Sequence, residues 1–173
     1  MKQSDIFRMG GLVTMVAGLW SMANAALPLE TTSGLIFFAG SVLTIFALFV
    51  IYAVQSQASG VLGIVGFVVA SIGNFVFLGE GLWGDDVFVI GGGLYALGLI
   101  LLGIASLKAG VFSRWVAWLW IASVVLGIPG FVVQSLMDLF FAAGGVALGA
   151  AFVLAGYELW AQRVEAAHDA ISR

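Results

Sequence analysis

The six basic residues of this chain are confined to three short regions, and no lysine or arginine lies between Arg8 and Lys108. An apolar stretch of that length is far too long for the core of a soluble domain. With 62% hydrophobic and 9% charged residues, the composition is typical of a polytopic helical membrane protein. The net charge of −3 and the scarcity of basic residues exclude a nucleic-acid-binding surface.

Polar breaks divide the chain into six apolar segments, each close to the roughly 20 residues that a helix needs to cross the hydrocarbon core. The predicted segments are 7–27, 33–55, 59–79, 87–107, 115–134 and 138–161, followed by a short polar tail, 162–173. Because the breaks are short, successive helices should be antiparallel neighbours within one domain, 1–173. The predicted fold is therefore an all-α membrane bundle of six transmembrane helices, in which Pro129 kinks or shortens the fifth.

The positions of the charges predict the topology of this bundle. Six crossings place both termini on one side, and all six basic residues fall on that side, which the positive-inside rule identifies as cytoplasmic. Lys2, Arg8 and the run Ala23-Asn24-Ala25 also fit a cleavable signal peptide. Asp5 in the basic region and an internal repeat favour a retained first helix.

The internal repeat relates the even-numbered segments. The runs 34–40, 86–92 and 138–144 follow one another at intervals of 52 residues, and all three combine Gly with Phe. This offset predicts three helical hairpins in parallel orientation, related by rotation about an axis near the membrane normal. The alternative is coincidence, because the same few residue types are abundant throughout the chain.

Side chains that carry out chemistry are scarce. The chain has no cysteine, and its one histidine, His168, lies in the polar tail. Thiol catalysis and iron–sulfur ligation are therefore excluded, and the bundle has no histidine to bind haem or a metal, or to activate a serine. We expect no catalytic residue, no metal site and no dedicated cofactor.

Three polar residues within the segments are candidate ligand positions: Ser71, Ser123 and Asn74. The two serines occupy equivalent positions of the repeat near the middle of the membrane, where they would form a shared polar site at the repeat interface. The alternative is structural, since a membrane serine commonly bonds to its own helix and an asparagine joins two helices.

Acidic residues gather at the predicted outer ends of the helices. A cation-attracting ring at an outer mouth is one interpretation of this group. Helix capping by Asp86 and Asp138 is the other. The candidate ring consists of Glu30, Glu80, Asp85, Asp86 and Asp138.

The break before the fifth segment carries a run of basic and aromatic residues. The stretch Lys108–Leu119, KAGVFSRWVAWL, resembles the corresponding break in uncharacterised bacterial six-helix integral membrane proteins, a domain of unknown function. The resemblance implies a prokaryotic cytoplasmic (inner) membrane setting. It transfers no catalytic or binding residue.

These observations predict a non-enzymatic integral membrane protein. It would act as a subunit of a membrane assembly, with other membrane helices as homo- or hetero-oligomeric partners, or it would bind membrane lipid or an apolar molecule of the quinone or carotenoid kind. The alternative is a small channel or transporter with an acidic outer mouth. Few intramembrane polar groups are present for transport, which favours the first interpretation.

Overall fold

The computed structural model of the protein describes residues 3–27, 34–78 and 85–161. All regular structure in these ranges is helical. The elements are α1 (Gln3–Ala25), α2 (Gly34–Leu78), α3 (Asp85–Ala109), α4 (Arg114–Val132), a 3₁₀ turn (Gln134–Leu136) and α5 (Met137–Trp160). Four of these helices contain apolar stretches long enough to cross a membrane: Asp5–Ala25, Phe38–Val76, Val89–Ala109 and Met137–Trp160. The prediction of an all-helical, membrane-type bundle is confirmed.

The structure contains five helices in these ranges, and the prediction of six separate helices is not supported. The difference lies in α2, which covers both the second and the third predicted segments. The polar break between those segments contains no proline, so helical hydrogen bonding runs up to Gly60 and resumes directly after it. Gly60 alone is non-helical, with φ 57° and ψ −153°.

The chain nevertheless reverses direction at Gly60. Asn74 Nδ2 donates a hydrogen bond of 3.2 Å to the Ser41 carbonyl oxygen, although these residues would lie about 50 Å apart along a straight helix. The rings of Tyr52 and Phe67 stack with centroids 4.9 Å apart. Helix α2 is therefore a folded-back pair, which we call the first arm (34–59) and the second arm (61–78).

Helix α1 packs against α5 through glycines spaced seven residues apart on each helix. An ideal Cβ built on Gly18 would lie 2.5 Å from the Gly149 carbonyl oxygen, and one on Gly156 would lie 2.5 Å from the Gly11 carbonyl oxygen. Neither position has room for a side chain. Small residues let helix backbones approach closely where lipid offers no hydrophobic driving force.

The second arm of α2 meets α3 in the same manner. A Cβ on Gly66 would lie 2.6 Å from the Leu102 amide nitrogen, and a Cβ on Gly98 would overlap the backbone of Ala70. Gly66, Gly98 and Ala70 thus bring the backbones of the second arm and α3 into close contact.

The three-hairpin repeat is not supported within the described residues. The most extensive contacts join α2 to α3 and α1 to α5, and the second of these pairs unites different predicted hairpins. The physical reason is that the contact glycines do not recur at the 52-residue offset. Leu97 and Ile104 stand 52 residues before Gly149 and Gly156, so the surface that α5 presents to α1 has no equivalent on α3.

Large side chains fill the centre of the bundle. Leu48 and Ile51 of the first arm, Leu99 and Leu102 of α3, Trp120 of α4 and Phe152 of α5 are all fully buried. The rings of Trp120 and Phe152 meet edge to face with centroids 6.2 Å apart, a favoured aromatic geometry.

Short local features mark the start and the end of α4. Before it, Gly110 has a φ of 65° and turns the chain so that Val111 and Phe112 are buried against the bundle. Near its end, the helix passes through Pro129 and stops at Val132, where the Val133 N–H donates to the Pro129 carbonyl oxygen. Its apolar stretch, Arg114–Gly130, is shorter than those of the other helices, in agreement with the predicted effect of Pro129.

The glycine contact between α1 and α5 leads to a stability prediction. Gly18→Ala places a methyl group against the Gly149 backbone, and we expect it to destabilise the protein by about 1–3 kcal/mol, as overpacking commonly does. The control is Gly93→Ala, because an added Cβ at Gly93 meets nothing within 4 Å and alanine favours a helix. Thermal unfolding in detergent should show a lower Tm for the first variant and an equal or higher Tm for the second. Equal Tm values would contradict the close contact.

Candidate functional site

Asn74 acts within the α2 hairpin. Its side chain is 5% exposed, and its amide donates to the Ser41 carbonyl oxygen of the first arm. Membrane helices are commonly joined by such amide hydrogen bonds. Asn74 therefore joins the two arms of α2, as the structural alternative predicts.

Ser71 and Ser123 do not meet. Ser71 lies on the second arm of α2 and Ser123 on α4, and these two helices share no extensive interface. Ser123 Oγ donates to the Trp120 carbonyl oxygen of its own helix at 2.7 Å, whereas Ser71 Oγ has no hydrogen-bond partner among the described residues. Ser71 and Ser123, which are equivalent positions of the predicted repeat, therefore lie in different environments.

The candidate acidic ring lies largely beyond what the structure describes. Glu30 and Glu80 fall outside the described residues, and Asp85 and Asp86 are described only as backbone at the start of α3. Asp138 is exposed in the first turn of α5. A carboxylate in this position interacts favourably with the positive end of the helix dipole.

A groove lies between α3, α4 and α5, and we call it the α3–α4–α5 groove. Its volume is about 150 Å³. Glycine backbone and apolar side chains form most of its wall, with Ser123 and Tyr95 as the residues that bear side-chain oxygen atoms. The lining residues are Gly92, Tyr95, Ala96, Leu99, Ser123, Val124, Gly127, Ile128, Phe141, Gly144, Gly145 and Leu148.

This groove reaches from the surface of the bundle into its interior. Ile128 at its edge is 53% exposed, while Leu99 and Ser123 in its wall are 2% and 7% exposed. Gly127 keeps the groove open, because an added Cβ there would meet nothing within 4 Å. Gly144 is different, since its Cβ would lie 2.8 Å from the Ser123 carbonyl oxygen and the two helices touch there.

A second groove runs along the outside of the bundle between α1 and the first arm of α2. Its volume is about 350 Å³. Its walls include Ile6, Met9 and Phe49, each more than half exposed. None of the residues that line it is buried, so it does not reach the buried centre.

A cluster of buried polar groups lies at the end of the bundle where α3 stops and α4 starts. Ser106 Oγ donates to Gln55 Oε1 at 2.7 Å, and both residues are at least 98% buried. Gln55 Nε2 and Ser59 Oγ have no hydrogen-bond partner among the described residues. The Gln55–Ser106 pair could not be predicted from the sequence, because 51 positions separate the two residues.

Glu158 belongs to the same end of the bundle. This carboxylate is 6% exposed and accepts a 2.9 Å hydrogen bond from the Ser113 backbone N–H. Ser113 immediately precedes α4 and makes no side-chain capping bond. The carboxylate of α5 thus lies at the N-terminus of α4, where the helix dipole favours a negative charge.

No group of three or more His, Cys, Asp or Glu side chains suited to a metal ion occurs in the described part of the chain. Comparison of the chain with protein-family models, curated proteins and solved structures finds no match.

The Gln55–Ser106 bond yields a prediction on stability. Ser106→Ala leaves the buried Gln55 carbonyl oxygen without its donor, which should lower the free energy of unfolding by about 1–3 kcal/mol. Gln55→Leu removes the same bond from the other side. The two variants and their combination form a double-mutant cycle, which can be measured by denaturation in detergent. The free energy of unfolding of the double variant should fall by at least about 0.5 kcal/mol less than the sum of the decreases in the two single variants.

The matched control is Ser56→Ala. Ser56 Oγ bonds only to the nearby Ala53 carbonyl oxygen, at a solvent- or lipid-accessible position, so the change should stay within about 0.5 kcal/mol. Strict additivity of Gln55→Leu and Ser106→Ala would show that the buried bond contributes nothing.

Proposed function

We propose that this protein is a non-enzymatic integral membrane protein that binds an apolar molecule, or one apolar chain of a lipid, in the α3–α4–α5 groove. The observation that carries the proposal is the open space beside Gly127, which leads inward from the lipid-facing surface. Elsewhere, closely packed glycines bring helices into backbone contact. At Gly127 the missing side chain leaves a groove.

The character of the wall determines what can bind. Apolar side chains and glycine backbone offer dispersion contacts but almost no hydrogen bonds. Ligand pockets for drug-sized molecules commonly have volumes of about 300–1,000 Å³, so a groove of about 150 Å³ accepts one branch or chain segment. The remainder of the molecule would stay in the surrounding lipid.

Packing at the centre argues against the alternative of a channel or transporter. An ion or polar solute needs a continuous line of polar groups or water across the membrane. Between the first arm, α3, α4 and α5, that route is occupied by fully buried residues such as Leu48, Trp120 and Phe152. We therefore rank binding of an apolar molecule above conduction.

We further propose that the chain crosses the membrane six times, with α2 crossing twice. Its apolar stretch of 39 residues would measure about 58 Å as a straight helix, roughly twice the thickness of the hydrocarbon core. The contact between Ser41 and Asn74 supports a return crossing. Six crossings place both termini and every basic residue on the cytoplasmic side of a prokaryotic inner membrane.

Single-cysteine variants test this topology, because the natural chain has no cysteine. Gln57 lies near the reversal in α2 and Ser135 in the turn before α5, and both are exposed. A membrane-impermeant thiol reagent applied to intact cells should label Ser135→Cys, and should label Gln57→Cys only after the cells are opened. External labelling of Gln57→Cys, or none under either condition, would contradict the double crossing.

A groove-filling substitution tests the proposed function. Gly127→Leu should occupy the groove without displacing the neighbouring helices, since there is open space beside the backbone. The control is Gly93→Leu, a similarly open glycine that lies on α3 outside the groove. A photoactivatable diazirine hydrocarbon, reacted with the purified protein and mapped by peptide mass spectrometry, should modify groove residues in the natural protein and in Gly93→Leu.

We expect Gly127→Leu to lose most of that modification. Labelling of exposed positions in the middle of a helix, such as Phe46, which is 57% exposed, should persist in all three proteins. If groove residues are labelled no more than Phe46, or if Gly127→Leu leaves the groove labelling intact, the proposed binding site is wrong.

A further inference from the structure

We propose that the molecule in the α3–α4–α5 groove is an apolar alcohol whose hydroxyl group donates a hydrogen bond to Ser123. This inference rests on the proposed function and names the chemical class of the ligand. Its basis is the direction of the hydrogen bond that Ser123 already makes.

A serine hydroxyl has one proton and two acceptor lone pairs. The Ser123 proton is committed to the Trp120 carbonyl oxygen, one turn earlier in α4, at 2.7 Å. The lone pairs remain available, and Ser123 belongs to the wall of the groove. Towards a ligand, Ser123 therefore presents an acceptor.

The surroundings make this acceptor selective. Ser123 is 7% exposed, and apart from Tyr95 the other residues of the wall are apolar or glycine, so water does not compete for its lone pairs. A hydroxyl group that enters an apolar site without a partner loses its hydrogen bonds at a substantial cost. Next to Ser123 the same hydroxyl finds an acceptor.

Ligands that offer only an acceptor fit less well. A ketone, ester or ether oxygen would bring its lone pairs against those of Ser123, and no hydrogen bond to Ser123 would form unless Ser123 gave up its bond to Trp120. Selectivity thus arises from an unfavourable contact with the wrong ligand as well as a favourable one with the right ligand. The groove should prefer an alcohol to the ether of the same shape.

Geraniol and geranyl methyl ether separate these cases. Both have the same branched hydrocarbon body and one oxygen atom, but only geraniol has a hydroxyl proton. Each compound competes with the diazirine hydrocarbon for the groove, and the concentration that halves groove labelling is measured. For the natural protein, geraniol should compete at about a fivefold lower concentration, the effect of one neutral hydrogen bond.

Ser123→Ala should abolish this preference, so that both compounds compete as the ether does with the natural protein. Ser71→Ala is the matched control, because it removes a serine from the second arm of α2, outside the groove, and the fivefold preference should persist. No preference in the natural protein, or an unchanged preference in Ser123→Ala, would overturn the inference while the groove labelling itself still supported the proposed function. Absence of groove labelling in the natural protein would instead overturn both.

Discussion

The helices of this bundle are held together by backbones that touch at glycine, the packing that serves where lipid leaves no hydrophobic driving force between helices. Gly11 and Gly18 of α1 face Gly156 and Gly149 of α5, and the added Cβ atoms would lie within about 2.6 Å of the opposite main chain. The first and last helices are thereby held together. Gly66 and Gly98 serve the same purpose between the second arm of α2 and α3.

Glycine has a second use where no neighbour approaches. At Gly127 the absent side chain leaves an opening between α3, α4 and α5, which no helix of the described residues fills. Nearby, Gly144 draws α5 against the Ser123 carbonyl oxygen. One short region thus combines tight helix contact with an accessible groove, and Ser123 places the only hydroxyl of α4 within that groove.

Four buried polar side chains, those of Gln55, Ser59, Ser106 and Glu158, lie at one end of the bundle. Gln55 bonds to Ser106, and Glu158 accepts the Ser113 N–H ahead of α4. In the low dielectric of a bundle interior these bonds are strong, and loss of one partner is costly. They fix how the reversal in α2 and the loop before α4 pack against their neighbours, at the end where Val111 and Phe112 are also buried.

By itself, the sequence determined the class of fold and most helix positions. Apolar length predicted segments at 87–107 and 138–161, and the structure has α3 at Asp85–Ala109 and α5 at Met137–Trp160. Length and polarity are local properties, and in a membrane every backbone hydrogen bond must be satisfied within the segment. Such helices can therefore be recognised without knowledge of their neighbours. The sequence also singled out Ser123 as a polar position within an apolar helix.

Only the tertiary structure decided which glycines face a helix and which face open space. Gly18, Gly93 and Gly127 look alike in the sequence, yet they occupy a backbone contact, an open surface and a groove. The 52-residue offset failed as a guide to packing for the same reason, since it compared residue types and carried no information on their neighbours. Contacts such as Ser41 with Asn74 and Gln55 with Ser106 join residues 33 and 51 positions apart, and they exist only because the chain reverses at Gly60 and packs its helices side by side.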